Sequence, residues 1–271
     1  MIKIDFPKDK SAFFASDQHF GAPDAASSAP RERRFLLWLE TIEPQAGALF
    51  LLGDLFDFWF EYQTVVPKGF VRILGKLAQM KDNGLPIYFF VGNHDLWMSD
   101  YFEKELGIPV FHQPQQFNIN GTKLFIGHGD GLGPGDKGYK RMKKVFTNPF
   151  SKWLFRWLHP DIGVKIAQYL STKNKLISGD EDAKFLGEEN EWLVQYVKRK
   201  HPDVKCQYYI FGHRHLPMRI HLPDDDAQYI NLGDWISFFS FGELNQAAFS
   251  FQSFEADGSV RHFRPISNRD D

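Results

Sequence analysis

Short uninterrupted apolar runs punctuate the chain, and five of them end alike, in a small residue or a glycine followed at once by Asp, Asn or His. They are 13–16 before Asp17, 50–53 before Asp54, 88–92 before Asn93, 124–127 before His128 and 209–212 before His213. A run of this length without two-residue alternation reads as a strand buried on both faces. In open α/β sheets, ligands bind beyond the carboxyl ends of the strands. The repeated pattern therefore predicts oxygen and nitrogen donors from five strand ends, gathered on one rim.

Between the runs the apolar period changes. Behind Pro30, residues 31–43 carry Phe35, Leu36, Trp38, Leu39 and Ile42 near helical spacing. Residues 69–83 carry Val71, Ile73, Leu74, Leu77, Ala78 and Met80 and stop at Asn83-Gly84, ahead of Pro86. This strand–loop–helix repetition, sustained to residue 110, predicts an α/β fold. From Phe117 the runs fall into antiparallel pairs, 117–120 with 123–126 and 218–222 with 228–232, followed by 246–254 with 260–263. Two packed sheets with helices outside fit that order. The 271 residues read as one domain, 1–271, with a helical insertion at about 136–201.

The centre of that insertion, 146–158, interleaves Phe146, Phe150, Trp153, Phe155 and Trp157 with Lys152 and Arg156, behind Lys140, Arg141, Lys143 and Lys144. Aromatic rings among basic residues suit a helix lying on a membrane surface. Trp153, Leu154, Trp157 and Leu158 stand at helical spacing, which equally suits a core or a subunit contact.

Composition narrows the choices. A formal charge of -2 and a pI of about 6.6 lack the basic footprint of a nucleic-acid binder, so no nucleic-acid partner is expected. The single cysteine, Cys206, cannot pair within the chain and reads as a buried apolar group. The N-terminus lacks a basic-then-apolar signal, and no stretch approaches the ~20 apolar residues that cross a bilayer. The expectation is a cytoplasmic protein, with surface contact to a membrane through 146–158 left open.

The strand ends carry the chemistry. Asp17 and His19 stand two apart, as do His213 and His215, and in extended backbone residues two apart share a side. With Asp54, Asn93 and His128 they make seven candidate ligands, too many for one ion. Two ions about 3.5–4 Å apart would use them all, and Asp54, with two oxygens to share, would bridge. Mixed imidazole and carboxylate donors suit Mn, Fe or Zn, whereas all-oxygen sites favour Mg.

Asp17-x-His19, Gly53-Asp54-x-x-Asp57, Gly92-Asn93-His94-Asp95, Gly127-His128 and Gly212-His213-x-His215, in that order, resemble the calcineurin-like metallophosphoesterase superfamily. The resemblance implies a four-layer α-β-β-α sandwich and two divalent cations, Mn foremost, with Fe, Zn or Mg as alternatives. It assigns one cation to Asp17, His19, Asp54 and His215, and the other to Asp54, Asn93, His128 and His213. It places His94 at the leaving group as the catalytic residue, with Asp57 as its orienting partner, and Asn93 and His94 against the substrate phosphate.

A narrower likeness rests on 127–136, on Tyr139 and on Leu55-Phe56-Asp57-Phe58-Trp59, which are similar to the UDP-2,3-diacylglucosamine diphosphatases. In that family the insertion is a lid over an acylated nucleotide sugar. The reaction splits the pyrophosphate into UMP and a lipid monosaccharide phosphate for lipid A, at the inner face of the bacterial inner membrane. The likeness implies substrate contacts from Asp136, Tyr139 and Lys175. The chain departs from it after Asn93, where His94 stands in place of the narrower family's usual Arg. The family's lid motif is matched only loosely, by Ser171, Asn174 and Lys175. Two alternatives stay beside it: a dinuclear phosphoesterase acting on a nucleotide, phosphoprotein or phosphodiester, and a non-catalytic metal-binding interaction module. The sequence leaves the oligomeric state open.

Overall fold

The computed structural model describes residues 1–134, 137–166, 184–223, 225–246 and 248–269. Two seven-stranded sheets lie face to face. In the first, β2 (Ser11–Ala15), β3 (Ala46–Leu51), β4 (Ile87–Phe90) and β5 (Val110–Phe111) run parallel, with Phe14 opposite Phe50 and Phe50 opposite Tyr88. β11 (Ser240–Leu244), β12 (Phe249–Phe254) and β13 (Val260–His262) extend that sheet antiparallel from β2. The second sheet runs β1 (Ile2–Ile4), β6 (Gln115–Ile119), β7 (Thr122–Ile126), β8 (Tyr208–Phe211), β10 (Gln228–Asn231), β9 (Met218–His221) and β14 (Ile266–Ser267) in spatial order.

The unbroken apolar runs are explained by this layering. Successive side chains of a strand point to opposite faces, and here both faces are covered. Phe13 and Ala15 of β2 join Leu49 and Leu51 of β3 against helices α1 (Ala25–Ile42) and α2 (Val71–Asp82). Ala12, Phe14, Ala48 and Phe50 instead meet Leu124, Ile126, Ile210 and Ile230 of the other sheet. Phe125, Tyr209, Phe211 and Tyr229 turn outward onto Leu193, Val194 and Val197 of the last helix, α6 (Trp192–Val204). The result is the α-β-β-α order of layers.

The expected helix at 31–43 begins earlier. The Asp24 carboxylate accepts from the Ser27 N–H at 2.9 Å and caps α1, leaving Pro30 inside the helix rather than ahead of it. The three antiparallel pairs form as read, β6–β7, β9–β10 and β12–β13. β10 does something further: it also pairs with β8 in parallel, Asn231 beside Phe211, so its carboxyl end reaches the same rim as the five expected strand ends. The short α3 (Tyr101–Glu105) lies between β4 and β5, and between β7 and β8 stand α4 (Lys137–Thr147), α5 (Pro149–Arg156) and α6. Among the described residues, no helix is long and apolar enough to cross a membrane.

Candidate metal centre

Each strand end turns sharply as it reaches the rim. Nine non-glycine residues among those described have positive φ, and five of them are Asp17, His19, Asp54, His213 and His215, at φ 58, 46, 53, 68 and 51°. Left-handed backbone is unfavourable for residues with a Cβ and persists where the surroundings over-determine it. The glycines before the polar residues serve a different need. A Cβ on Gly92 would collide with the Asp54 carboxylate, and one on Gly212 with the Ser16 hydroxyl, so neighbouring strand ends could not close up.

The polar atoms converge. His19 Nε2 and His215 Nε2 face each other at 3.2 Å, and Asp17 Oδ1 lies 3.3 Å from the second and 3.8 Å from the first. Asp54 Oδ2 stands between two groups, 3.6 Å from His19 Nε2 and 3.4 Å from His128 Nε2. Asn93 Oδ1 is 3.2 Å from the same His128 nitrogen. Three clusters bring their donor atoms within 4.8 Å of one another: Asp17 with His19 and His215, His19 with Asp54 and His94, and Asp54 with His128 and His213. All seven expected ligands thus meet at one place.

Whether these residues suit a cation is answered by their bonding. Asp17 Oδ1 is buried and has no hydrogen-bond partner among the described residues, an arrangement that is costly for a carboxylate unless something else meets it. Burial raises the Asp17 carboxyl, but His215, His19 and His128 outweigh it and hold it below the usual range. Asp54 behaves alike: burial raises it, while His128, His94 and His19 hold it well below. Burial opposes a charge on His128, yet Asp54 and Asp17 push its pKa up to about 10. Buried carboxylates and imidazoles thus hold one another charged in the absence of anything else, their donor atoms converge, and divalent cations fit that set.

Behind the donors is a second layer. His128 Nδ1 donates to the Leu52 carbonyl at 2.6 Å. His94 Nδ1 meets the Asp57 carbonyl at 2.9 Å, and Asp57 Oδ1 lies 3.5 Å from the same nitrogen and 3.6 Å from His19 Nδ1. Asp95 accepts from the N–H groups of Gly92 at 2.5 Å and Leu55 at 3.1 Å, tying the third strand end to the second. Its carboxyl, buried and beside Asp54, is pushed up to about 8. Arg31 on α1 donates to the carbonyls of Gln18, His19 and Ala22 at 2.7–2.8 Å, clamping the first turn. Asp234 Oδ2 stands 3.2 Å from His215 Nδ1. The sequence reading passed over Arg31 and Asp234. For Asp234 only part of the signal was present: Gly233 stands directly before it, as glycines do before Asp54, Asn93, His128 and His213, but Asn231 breaks the apolar run.

The helices after β7 lean on this rim. Tyr139 donates to Asp130 Oδ2 at 2.5 Å, Lys143 forms an ion pair with the same oxygen, and the Tyr139 ring centroid lies 6.4 Å from that of His213. Trp97 Nε1 donates to the Phe146 carbonyl at 2.6 Å, and Phe155 packs on Trp97 and Phe60 with ring centroids 4.5 and 4.7 Å apart. The opposite face of α5 is bare: Phe150, Trp153, Leu154 and the following Trp157 are 68, 53, 57 and 76 % exposed. The core alternative for Trp153 and its neighbours thus fails within this chain. Asp136 and Lys175, expected to touch substrate, lie outside the described residues, as do Ser171 and Asn174.

Comparison with known proteins agrees with the geometry. The family model described as calcineurin-like phosphoesterase matches residues 13–217. A UDP-2,3-diacylglucosamine hydrolase of Porphyromonas gingivalis is 38% identical over 259 residues, covering 90% of this chain and 97% of that protein. Proteins of the same name from Edwardsiella ictaluri and Histophilus somni are 31% identical over 218 residues and 28% over 245. They cover 80% and 89% of this chain and 81% and 99% of their own lengths.

Proposed function

This chain belongs to the calcineurin-like phosphoesterase family, and we propose that it cleaves the pyrophosphate of UDP-2,3-diacylglucosamine, releasing UMP and the diacylated monosaccharide phosphate. It is a metal-dependent hydrolase. Asp17, His19, Asp54 and His215 would hold one divalent cation, and Asp54, Asn93, His128 and His213 the other, with Mn the first choice. When bound, such a pair acidifies water and offsets the charge that builds on phosphate oxygens.

The chain's own residues supply the remainder. The Asp57 carbonyl can only accept, so it fixes the proton of His94 on Nδ1 at 2.9 Å and leaves Nε2 as the atom that hands a second proton to the leaving oxygen. Asp57 Oδ1, 3.5 Å from Nδ1, steadies that ring while it is charged. Tyr139, held by Asp130 beside His213, borders the site where the sugar phosphate would lie. The likeness to the narrower family implies substrate contacts from Asp136 and Lys175 as well.

The observation that carries the substrate is the position of α4 and α5. Asp130, two residues past His128, binds Tyr139 and Lys143 of α4. α5 in turn packs through Phe155 on Trp97, three residues past His94, so its exposed apolar face lies beside the phosphate-reactive rim. That pairing suits a molecule with a pyrophosphate at one end and acyl chains at the other. Arg156, exposed next to Trp157, supports contact with the anionic surface of the inner leaflet of a bacterial inner membrane, whereas Lys152 is half-buried on the side of the helix away from that face. A second reading rests on His94: where the narrower family usually has Arg, this residue suits the wider family's smaller phosphoesters.

Purified protein with Mn²⁺ and UDP-2,3-diacylglucosamine decides between them by product mass. UMP and the lipid phosphate are expected. Turnover of a chromogenic ester without those products supports the second reading, and no hydrolysis of either supports a binding module.

A further inference from the structure

Asp234 follows β10 at the rim but is not one of the clustered donors; it stands behind one of them. Its two oxygens have separate tasks. Oδ1 accepts from three successive backbone N–H groups, Ile236, Ser237 and Phe238, at 3.1, 2.7 and 3.1 Å. These bonds fix the carboxylate against the turn that follows β10. Oδ2 is thereby aimed at His215 Nδ1, 3.2 Å away, while Nε2 of the same ring faces Asp17 and His19. The next residue closes the arrangement, because the Trp235 N–H donates to the Asp17 carbonyl at 3.2 Å.

The imidazoles of the two proposed cation sites are supported unequally. His128 donates to a neutral carbonyl, that of Leu52. His215 has a carboxylate behind it, and the side chain of Asp234 is almost fully buried. A carboxylate that accepts from one ring nitrogen keeps the other free of a proton and makes it a better donor to a metal. His215 stands at left-handed backbone, φ 51°, and Asp234 meets its ring from the side away from Asp17.

We propose that Asp234 is a positioning residue: it holds His215 as the Nδ1–H tautomer, with Nε2 directed at the cation shared with Asp17, His19 and Asp54, and so sets the affinity of that site. This rests on the two-cation reading above.

The variant Asp234→Asn separates the two tasks. The amide oxygen can still accept from the 236–238 backbone, whereas the amide nitrogen cannot accept from His215. Mn²⁺ titration of the metal-free full chain by calorimetry should show two binding steps in the wild type. His215→Ala identifies the step that belongs to its site. In Asp234→Asn that same step should weaken by about 10–100-fold, with the other unchanged. The thermal midpoint of the metal-free variant should stay close to wild type. Equal affinities in Asp234→Asn and wild type overturn the proposal. Failure of the wild type to bind two cations overturns instead the two-cation reading on which it rests. Should Asp234→Asn not fold, ¹⁵N-histidine spectra of the Zn²⁺-loaded wild type decide, with the His215 signal identified by its loss in His215→Ala. A protonated Nδ1 is expected there, and a protonated Nε2 overturns the proposal.

Discussion

The rim of the sandwich and the α4–α5 helices are adjacent, yet they are built on opposite terms. At the rim the site is braced by a second set of side chains: Asp95 ties two strand ends together, Arg31 clamps a third, and Asp57 and Asp234 stand behind imidazoles. On α5 the inner face is anchored through Phe155, and the outer face offers Phe150, Trp153 and Leu154 to solvent. Chemistry needs donors held to within a fraction of an ångström, which demands burial and redundancy. Gripping a flexible acyl chain or a lipid surface needs area and little geometry.

If that contrast holds, damage to the two regions should differ in kind. Asp54→Ala removes the oxygen shared between both halves of the site. Bound metal should fall to background and hydrolysis by about 10³-fold or more, read by elemental analysis and product formation. His94→Ala should leave the metal content intact and lower kcat by about 10²-fold, towards the lower end of losing a general acid. If metal is lost as well, His94 belongs to the donor set and not to the leaving-group side.

Protons should compete with cations at the rim alone. His128 must be neutral to bind a metal, and Asp54 and Asp17 push it up to about 10. Near pH 8, loading should therefore release close to one proton from this residue, and the affinity should fall as pH is lowered, by about tenfold per unit. Calorimetry in buffers of different ionisation enthalpy measures the release. The smallest effect belongs to α5: Trp153→Ser with Trp157→Ser should weaken turnover of the diacylated substrate in vesicles by about tenfold. A small chromogenic ester should be hydrolysed as before. Equal loss on both substrates would mean that the helix pair braces the rim and does not merely serve the lipid.

The same contrast explains what could be read in advance. Strands buried on both faces write themselves as unbroken apolar runs, and a donor directly after such a run can hardly point anywhere but the rim. Asp17, Asp54, Asn93, His128 and His213 were legible for that reason. Asp234 was obscured because β10 pairs on both sides, antiparallel to β9 and parallel to β8, and only the hairpin shows in local sequence. Arg31 was illegible: its carbonyl partners are set by how α1 packs, not by any motif. The orientation of α5 was undecided because an apolar helix face looks the same whether it meets a core or the outside.

The twisted backbone of the rim has a consequence for heat resistance. Asp17, His19, Asp54, His213 and His215 hold a conformation that asparagine and glycine adopt more readily. Replacing His213 by Asn relieves the chain locally and removes an imidazole that burial and the neighbouring His128 keep from charging. The metal-free protein should then melt higher in such a disarmed form than in the native one, and the native form should regain the lead only when it is loaded. Robustness and competence are thus traded at the same few peptide units, and a screen for thermal stability alone would select against the enzyme.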